Sequence, residues 1–351
     1  MGELINNFSW SISARDDFNE CRRRRYWAKY AMWNGWKENA SPIQRAAYRL
    51  SKMENRFTLL GNAVELGVNW LIRSQQAGRA ATAEEAYEAA AKPFLNKCWS
   101  ESVKGQWKNS PKKFCCLHEH YYSDLGKNRE KEKELTAEMI VRIKLCLSNF
   151  ITKVLAGLAP VKKEQEIAIS TVAVGDPESF VIDETQTSAV APPASQCETL
   201  RAGQRAMADK SPEASPGRVK IYAIPDYAYL KEGKMHIHDW KSGRQKPAHK
   251  DQMAVYGLWA ASKHKFDPQQ VHIHLEYLSA GITDSTELTN ASLLLAQELI
   301  RDSVAEMAEY LVDGDLNRNE PLPKEDWEMS ADMNVCRKCN FYELCKSEQE
   351  G

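Results

Sequence analysis

The stretch that decides the fold is VKIYAIPDYAYLKEGKMHIHDWKSG, residues 219–243. Its β-branched and aromatic content predicts strands, and KEGK is a hairpin signal between two of them. Asp226 opens a turn after one strand, and Asp239 lies near the end of the next. A hairpin of this length can bring the two carboxylates together at one end of the sheet. Lys241 follows Asp239 by two residues, so strand alternation predicts that both side chains project from the same face.

Two carboxylates beside a lysine have a definite chemistry. Converging carboxylates bind Mg²⁺ or Mn²⁺ through hard oxygen ligands. A neighbouring lysine can orient or help to deprotonate a water molecule and can stabilise charge on a phosphate. These are the requirements of metal-assisted phosphodiester hydrolysis. The alternative is structural, because aspartate is common at hairpin turns and a D-x-K triplet alone arises by chance in many proteins.

The composition limits the class of protein. The 351 residues suit one large domain with insertions, or two domains. The 47 Lys and Arg nearly balance the 48 Asp and Glu, which excludes coating of nucleic acid by bulk charge but not a local basic groove. The start MGELINNFSW lacks the features of a signal peptide, and no uncharged apolar run approaches the ~20 residues of a membrane helix. We therefore expect a soluble, cytoplasmic protein with no membrane partner.

Three regions are predicted along the chain. Residues 1–160 form a helical region, and residues 161–312 an α/β core that begins near the strand-like EIAISTVAV. The core contains an irregular insertion at 175–218, which is rich in Pro, Ala and Ser. Residues 313–351 hold a cysteine cluster. The order of elements indicates a mixed α/β core with a large helical N-terminal elaboration.

A helix candidate after the lysine, KDQMAVYGLWAASK, extends the pattern. Gln252 and Tyr256 are four residues apart on it, so they share one face. With these two residues the chain resembles the PD-(D/E)xK nucleases of the RecB type. The residues that carry the resemblance are Pro225-Asp226, Asp239-Trp240-Lys241, Ser242-Gly243 and Gln252-x3-Tyr256.

The resemblance implies a restriction-endonuclease-like core, a mixed central sheet flanked by helices, with Mg²⁺ or Mn²⁺ as cofactor. It implies that Asp226 and Asp239 hold the metal, with the backbone carbonyl of Trp240 as a further ligand. Gln252 and Tyr256 are then expected to support DNA binding and the position of the catalytic lysine. The catalytic residues that it implies are Lys241, Asp226, Asp239, Gln252 and Tyr256.

In this family an upstream helix supplies one more residue, usually the histidine of a G-x-x-x-H pattern. Here a helix predicted from about Thr58 to Gln76 carries GNAVE, so Gly61 and Glu65 take the corresponding positions. This departs from the RecB-type pattern, although glutamate occurs there in other branches of the superfamily. A carboxylate is chemically adequate as a metal ligand. The alternative is that Glu65 is a solvated helix residue.

The nine cysteines include Cys336-x2-Cys339-x5-Cys345, a spacing that suits a metal centre better than disulfides in a reduced compartment. Three thiolates need a fourth ligand. The stretch SISARDDFNECRRRRYW resembles the opening of iron–sulfur RecB-type nucleases, such as AddB and the CRISPR-adaptation nucleases. The resemblance implies that Cys21 joins the three others around a [4Fe–4S] cluster, which ties the two ends of the nuclease domain together. Zinc in a Cys₄ site is the structural alternative.

The four arginines at 22–25 and the aromatic residues beside them allow two interpretations. They could contact phosphates and stack on bases. Equally, the aromatic side chains, Trp27 above all, could pack the N-terminal helix against the core.

The combined reading predicts a metal-dependent DNA nuclease. We expect an exonuclease that acts on DNA ends or single strands in recombination, repair, or phage- or CRISPR-related DNA processing, with a helicase or recombination protein as its partner. Two other classes stay open. A non-catalytic nucleic-acid-binding or assembly subunit could keep the fold without turnover, and a zinc-stabilised interaction protein would explain the cysteines but not the acidic residues.

Overall fold

The computed structural model describes residues 4–123, 128–158, 161–167, 179–183 and 218–349. Most of the insertion predicted at 175–218, Cys197, and most of the strand predicted in EIAISTVAV lie outside the described residues.

Helices dominate the first half of the described chain, and strands and helices alternate in the second. The α-helices are α1 Ile12–Glu20, α2 Arg22–Tyr26, α3 Pro42–Ser51, α4 Arg56–Gln76, α5 Ala83–Ala86, α6 Lys92–Lys104, α7 His118–Tyr122, α8 Arg129–Asn149, α9 Ala156–Leu158, α10 Ala248–His264, α11 Asn290–Ala308, α12 Met333–Arg337 and α13 Tyr342–Gln349. The strands are β1 Ser9–Trp10, β2 Met53–Glu54, β3 Cys116–Leu117, β4 Ser179–Asp183, β5 Arg218–Tyr222, β6 Tyr227–Lys231, β7 Lys234–Lys241, β8 Val271–Tyr277 and β9 Ile282–Glu287. Within the described ranges, no helix has the length and apolar character that crossing a membrane requires.

A four-stranded mixed sheet in the order β6-β7-β8-β9 carries Asp239 and Lys241, both on β7. β6 and β7 are antiparallel and are joined by a tight turn in which Glu232 and Gly233 have φ values of 52° and 76°. Positive φ at both central positions matches the twist of a hairpin, and glycine adopts it without strain. β7 pairs parallel with β8, α10 forms the crossover between them, and β9 returns antiparallel. The predicted hairpin and the mixed α/β core are confirmed.

A second sheet, in the order β1-β5-β4, brings the N-terminal end of the described chain into the core. β1 pairs parallel with β5, and β4 pairs antiparallel with it. Trp10 in β1 has no exposed surface, and its indole Nε1 donates a hydrogen bond to Ser303 Oγ of α11 at 3.0 Å. Because β5 leads directly to Asp226, this sheet fixes the path by which the chain approaches that residue.

The two faces of the four-stranded sheet belong to different hydrophobic cores. Met235 and Ile237 of β7 lie in one core with α10 and α11. On the opposite face, Tyr229 and Trp240 pack with residues of α4 and α8. Since side chains alternate along a strand, the odd-numbered residues of β7, which include Asp239 and Lys241, project towards α10. The polar C-terminal end of β7 therefore lies between α10 on one face of the sheet and the helical region on the other.

A third hydrophobic core joins the N-terminal helices to the C-terminal segment. Trp27, which is 2% exposed, packs in it with Phe341. Arg23 is also buried: its Nε donates to Trp327 O at 2.7 Å, and its Nη1 pairs with Glu348 at 2.7 Å. Of the two interpretations of the aromatic residues beside the arginine run, packing is the one that Trp27 follows.

Candidate active site

Asp239 and Lys241 lie side by side at the C-terminal end of β7. Lys241 Nζ is 2.5 Å from Asp239 Oδ2, and Asp239 is only 2% exposed. A buried ion pair is tolerated when further hydrogen bonds compensate for the water that both groups lose. Helix α10 supplies them.

Gln252 and Tyr256 connect the lysine to the aspartate through a closed set of hydrogen bonds. Lys241 Nζ donates to Gln252 Oε1 at 2.7 Å, and Gln252 Nε2 donates to the Tyr256 hydroxyl at 2.7 Å. That hydroxyl donates to Asp239 Oδ1 at 2.6 Å. Burial raises the pKa of Tyr256 well above 10, and the nearby carboxylates raise it further, so the tyrosine stays a neutral donor. The four side chains thus hold one another in place.

Asp226 reaches the same point from the segment between β5 and β6. Its Oδ2 accepts a hydrogen bond from the backbone N–H of Trp240 at 2.6 Å. Burial raises the pKa of Asp226 well above its usual range, and the charges of Asp239 and Glu65 raise it further. Three carboxylates that lie near one another repel when they are charged, and a bound cation would remove that repulsion.

Glu65 approaches from α4, on the side of the helical region. Burial raises its pKa, and the charge of Asp239 adds to the effect, so the two carboxylates lie within electrostatic reach. One turn earlier, a Cβ placed on Gly61 would be 3.7 Å from Ser242 Oγ. That is an ordinary contact distance, and it means that α4 runs directly beside the loop that follows Lys241.

The donor set fits a hard divalent cation. Asp239 Oδ2 is buried and, apart from its ion pair with Lys241, no group in the described part of the chain gives it a hydrogen bond. Carboxylate oxygens are the ligands that Mg²⁺ and Mn²⁺ prefer. Protons compete with a cation for groups whose pKa is raised, so binding should strengthen as the pH rises. The types of donor suit a cation, but their positions do not form a site for one: among the described residues, no three or more His, Cys, Asp or Glu side chains are grouped so that they could hold a metal ion.

Four cysteines from the two ends of the described chain line one small cavity: Cys21, Cys336, Cys339 and Cys345. Three of the sulfur atoms accept hydrogen bonds, Cys21 from Ser330 N (3.4 Å), Cys339 from Phe341 N (3.4 Å) and Cys345 from Trp27 Nε1 (3.2 Å). Burial raises the pKa of Cys339 to about 12. N–H donors around sulfur are the surroundings that metal thiolates have, but within the described residues these cysteines are not grouped closely enough to count as a set that could hold a metal ion.

Arg142 of α8 is a neighbour of the site that the sequence does not reveal. Its Nε and Nη2 donate to Ser242 O at 3.1 and 2.7 Å, which fastens the loop after Lys241 to the helical region. The residues around Arg142 form no motif, so its contact depends on how α8 packs against the sheet. No local signal in the sequence could have identified it.

A mixed sheet with two aspartates and a lysine at one end is typical of enzymes that cleave phosphodiester bonds. The family model of the PD-(D/E)XK nuclease superfamily matches residues 9–346, and the chain belongs to this superfamily. Its members are generally nucleases, which act on DNA and typically use Mg²⁺ or Mn²⁺. None of the curated proteins that were compared with the chain matches it.

Proposed function

We propose that the chain is a RecB-like, Mg²⁺- or Mn²⁺-dependent deoxyribonuclease, an exonuclease that acts on DNA ends or single strands. The observation that carries the proposal is the hydrogen-bonded set of Asp239, Lys241, Gln252 and Tyr256. Stability alone gives little reason to keep a buried ion pair, because apolar residues in its place are often neutral or stabilising. Catalysis gives a reason, since it needs a fixed cation beside a metal-binding carboxylate. Recombination or repair, with a helicase or recombination protein as partner, is the setting that suits this activity.

In this proposal the acidic groups hold the metal ion. The ligands would be Glu65, Asp226, Asp239 and the backbone carbonyl of Trp240. When bound, the ion supplies positive charge against the negative charge that develops on the scissile phosphate. The N–H of Trp240 holds the Asp226 carboxylate by its hydrogen bond, which keeps this ligand in place before the ion arrives.

Lys241 contributes a second positive charge, which is fixed before the substrate binds. Asp239 and Gln252 hold its ammonium group, so little reorganisation is needed when charge develops on the phosphate. The same ammonium group can orient the attacking water by a hydrogen bond. Gln252 and Tyr256 act through the lysine and Asp239, so they are positioning residues.

We further propose that Cys21, Cys336, Cys339 and Cys345 hold a [4Fe–4S] cluster with a structural role. The support is that four thiols from distant parts of the sequence meet at one cavity and that N–H groups point at three of their sulfur atoms. A cluster there would cross-link the N-terminal helices to the C-terminal segment, close to the buried Arg23 and Trp27. A single zinc ion is the other occupant that four thiolates would accept.

The proposed activity is tested with end-labelled single- and double-stranded DNA and purified protein. We expect cleavage with Mn²⁺ or Mg²⁺, release of short products from the ends, and no cleavage after chelation by EDTA. DNA binding without any metal-dependent cleavage would instead support the non-catalytic nucleic-acid-binding subunit. A covalently closed single-stranded circle separates the modes of attack, because an exonuclease leaves it intact.

Glu65→Gln tests the contribution of α4 to the site. The amide keeps the shape of the side chain but removes its charge, so we expect a loss of activity of roughly 100-fold or more and weaker binding of Mn²⁺. Cleavage rates and Mn²⁺ affinity by electron paramagnetic resonance are the two measurements. Glu84→Gln, an exposed carboxylate of α5 that pairs with Lys144, is the matched control. Wild-type kinetics and Mn²⁺ affinity in Glu65→Gln would return Glu65 to the solvated-helix interpretation.

A further inference from the structure

A groove lies between the first turns of α4 and the middle of α8, and it has a volume of about 150 Å³. Leu60 and Met139, both buried, form part of its lining. Phe57 also lines it, although its side chain is 61% exposed. The groove therefore combines an apolar floor with an aromatic ring that is open to solvent.

The position of Phe57 is fixed by the start of α4. The side chain of Asn55 accepts hydrogen bonds from Phe57 N at 2.9 Å and from Thr58 N at 3.0 Å, which caps the helix. The guanidinium of Arg56 lies 4.8 Å from the centre of the Phe57 ring. That guanidinium lies over the ring, yet Phe57 is 61% exposed, so ring surface is left on which a flat group can stack.

The groove opens beside the candidate active site. Arg142 lines it and also donates two hydrogen bonds to Ser242 O, one residue after Lys241. A guanidinium has five N–H donors, so the same group has donors left for a phosphate oxygen. Arg56 adds a second positive charge to the lining, and Glu138 adds one negative charge. The balance of charge favours an anionic chain that leaves the active site along α4.

The size of the groove limits its occupant. A volume of about 150 Å³ is well below that of sites for drug-sized ligands, which are ~300–1,000 Å³. One nucleobase suits such a space better than a stacked column of base pairs. Bases of single strands stack on aromatic side chains while basic groups hold the backbone, and the groove offers both kinds of group.

We infer that this groove binds one nucleotide of a single DNA strand next to the scissile phosphate, with its base stacked on Phe57 and its phosphate held by Arg142. The inference rests on the proposed function and names its substrate class, a strand end that is single-stranded at the site. Phe57 is then a substrate-binding residue, and it strengthens binding of the strand whether or not metal ions are bound.

The test is DNA binding in EDTA, where no cleavage occurs, measured by the fluorescence anisotropy of a labelled single-stranded oligonucleotide. Phe57→Ala should weaken binding by roughly 5- to 150-fold, the range that loss of one stacked base gives. Phe57→Trp should bind as tightly as wild type or more tightly, because the larger ring stacks better. Glu138→Gln should tighten binding, because it removes the negative charge of the lining.

Val141→Ala is the matched control, since Val141 is 68% exposed on α8. Its affinity should stay within about twofold of wild type, as for ordinary surface substitutions. Phe57→Ala should keep the wild-type melting temperature, because the ring is largely exposed. If wild type cleaves DNA with Mn²⁺ while Phe57→Ala binds the strand as wild type does, the inference is wrong and the nuclease proposal stands. If wild type neither binds nor cleaves DNA, both are wrong.

Discussion

Lys241→Ala should abolish DNA cleavage while the protein still binds Mn²⁺, whereas Asp239→Ala should lose both. The lysine supplies fixed positive charge to the reaction, and removal of such a group costs roughly 10²–10³ in rate or more. Asp239 is a proposed metal ligand, and apart from its ion pair with Lys241 its Oδ2 receives no hydrogen bond from the described residues. Single-turnover cleavage of end-labelled DNA gives the rate, and electron paramagnetic resonance of Mn²⁺ gives the metal affinity.

Lys234→Ala is the control for the lysine, because Lys234 is exposed at the other end of the same strand. It should cleave DNA at the wild-type rate. Asp239→Asn keeps the size of the buried side chain, so it separates loss of metal binding from loss of the fold, which thermal unfolding reports. Wild-type cleavage by either Lys241→Ala or Asp239→Ala would mean that the catalytic site lies elsewhere.

If the proposed iron–sulfur cluster is present, Cys21→Ala should release it and destabilise the protein, although the substitution changes none of the proposed catalytic residues. Protein that is purified without oxygen should be brown and should contain about four irons per chain. A cross-link between residues more than 300 positions apart restricts the unfolded chain strongly, and its loss should cost on the order of 4 kcal/mol by comparison with other long cross-links. Iron analysis, the visible spectrum and chemical unfolding are the measurements.

Cys146→Ala is the control, since Cys146 is buried in the core formed by the helical region. It should keep the colour and the iron content. A colourless protein with one zinc ion per chain would exclude the cluster and leave the nuclease proposal standing. Retained colour and stability in Cys21→Ala would mean that another cysteine is the fourth ligand.

Short-range regularities made part of the site predictable from the sequence. The alternation of a strand placed Asp239 and Lys241 on one face, and they form an ion pair there. The spacing of four on a helix placed Gln252 and Tyr256 together, and they are hydrogen-bonded. Both rules depend only on backbone geometry, which holds in any fold. The catalytic roles of these residues remain predictions.

Long-range pairing was not predictable in the same way. β1 has two residues, too few for a strand pattern, and its partner β5 lies about 200 residues later. The hydrogen bond from Trp240 N to Asp226 depends on how the two strands are offset, which composition does not encode. Arg142 contacts the loop after Lys241 only because α8 packs beside the sheet. Each of these contacts follows from the assembled fold and not from local residues.

The buried contact between Arg23 and Trp327 sets the order in which the protein can fold during synthesis. The two residues are 304 positions apart, and a ribosome that adds ~5–20 residues per second needs roughly 15–60 s to make the second after the first. During that interval α1 and α2 have emerged, but the segment that covers Arg23 and Trp27 does not yet exist. Their apolar surface is open to chaperones and to aggregation until then. α1 and α2 are therefore made long before they can reach their final packing.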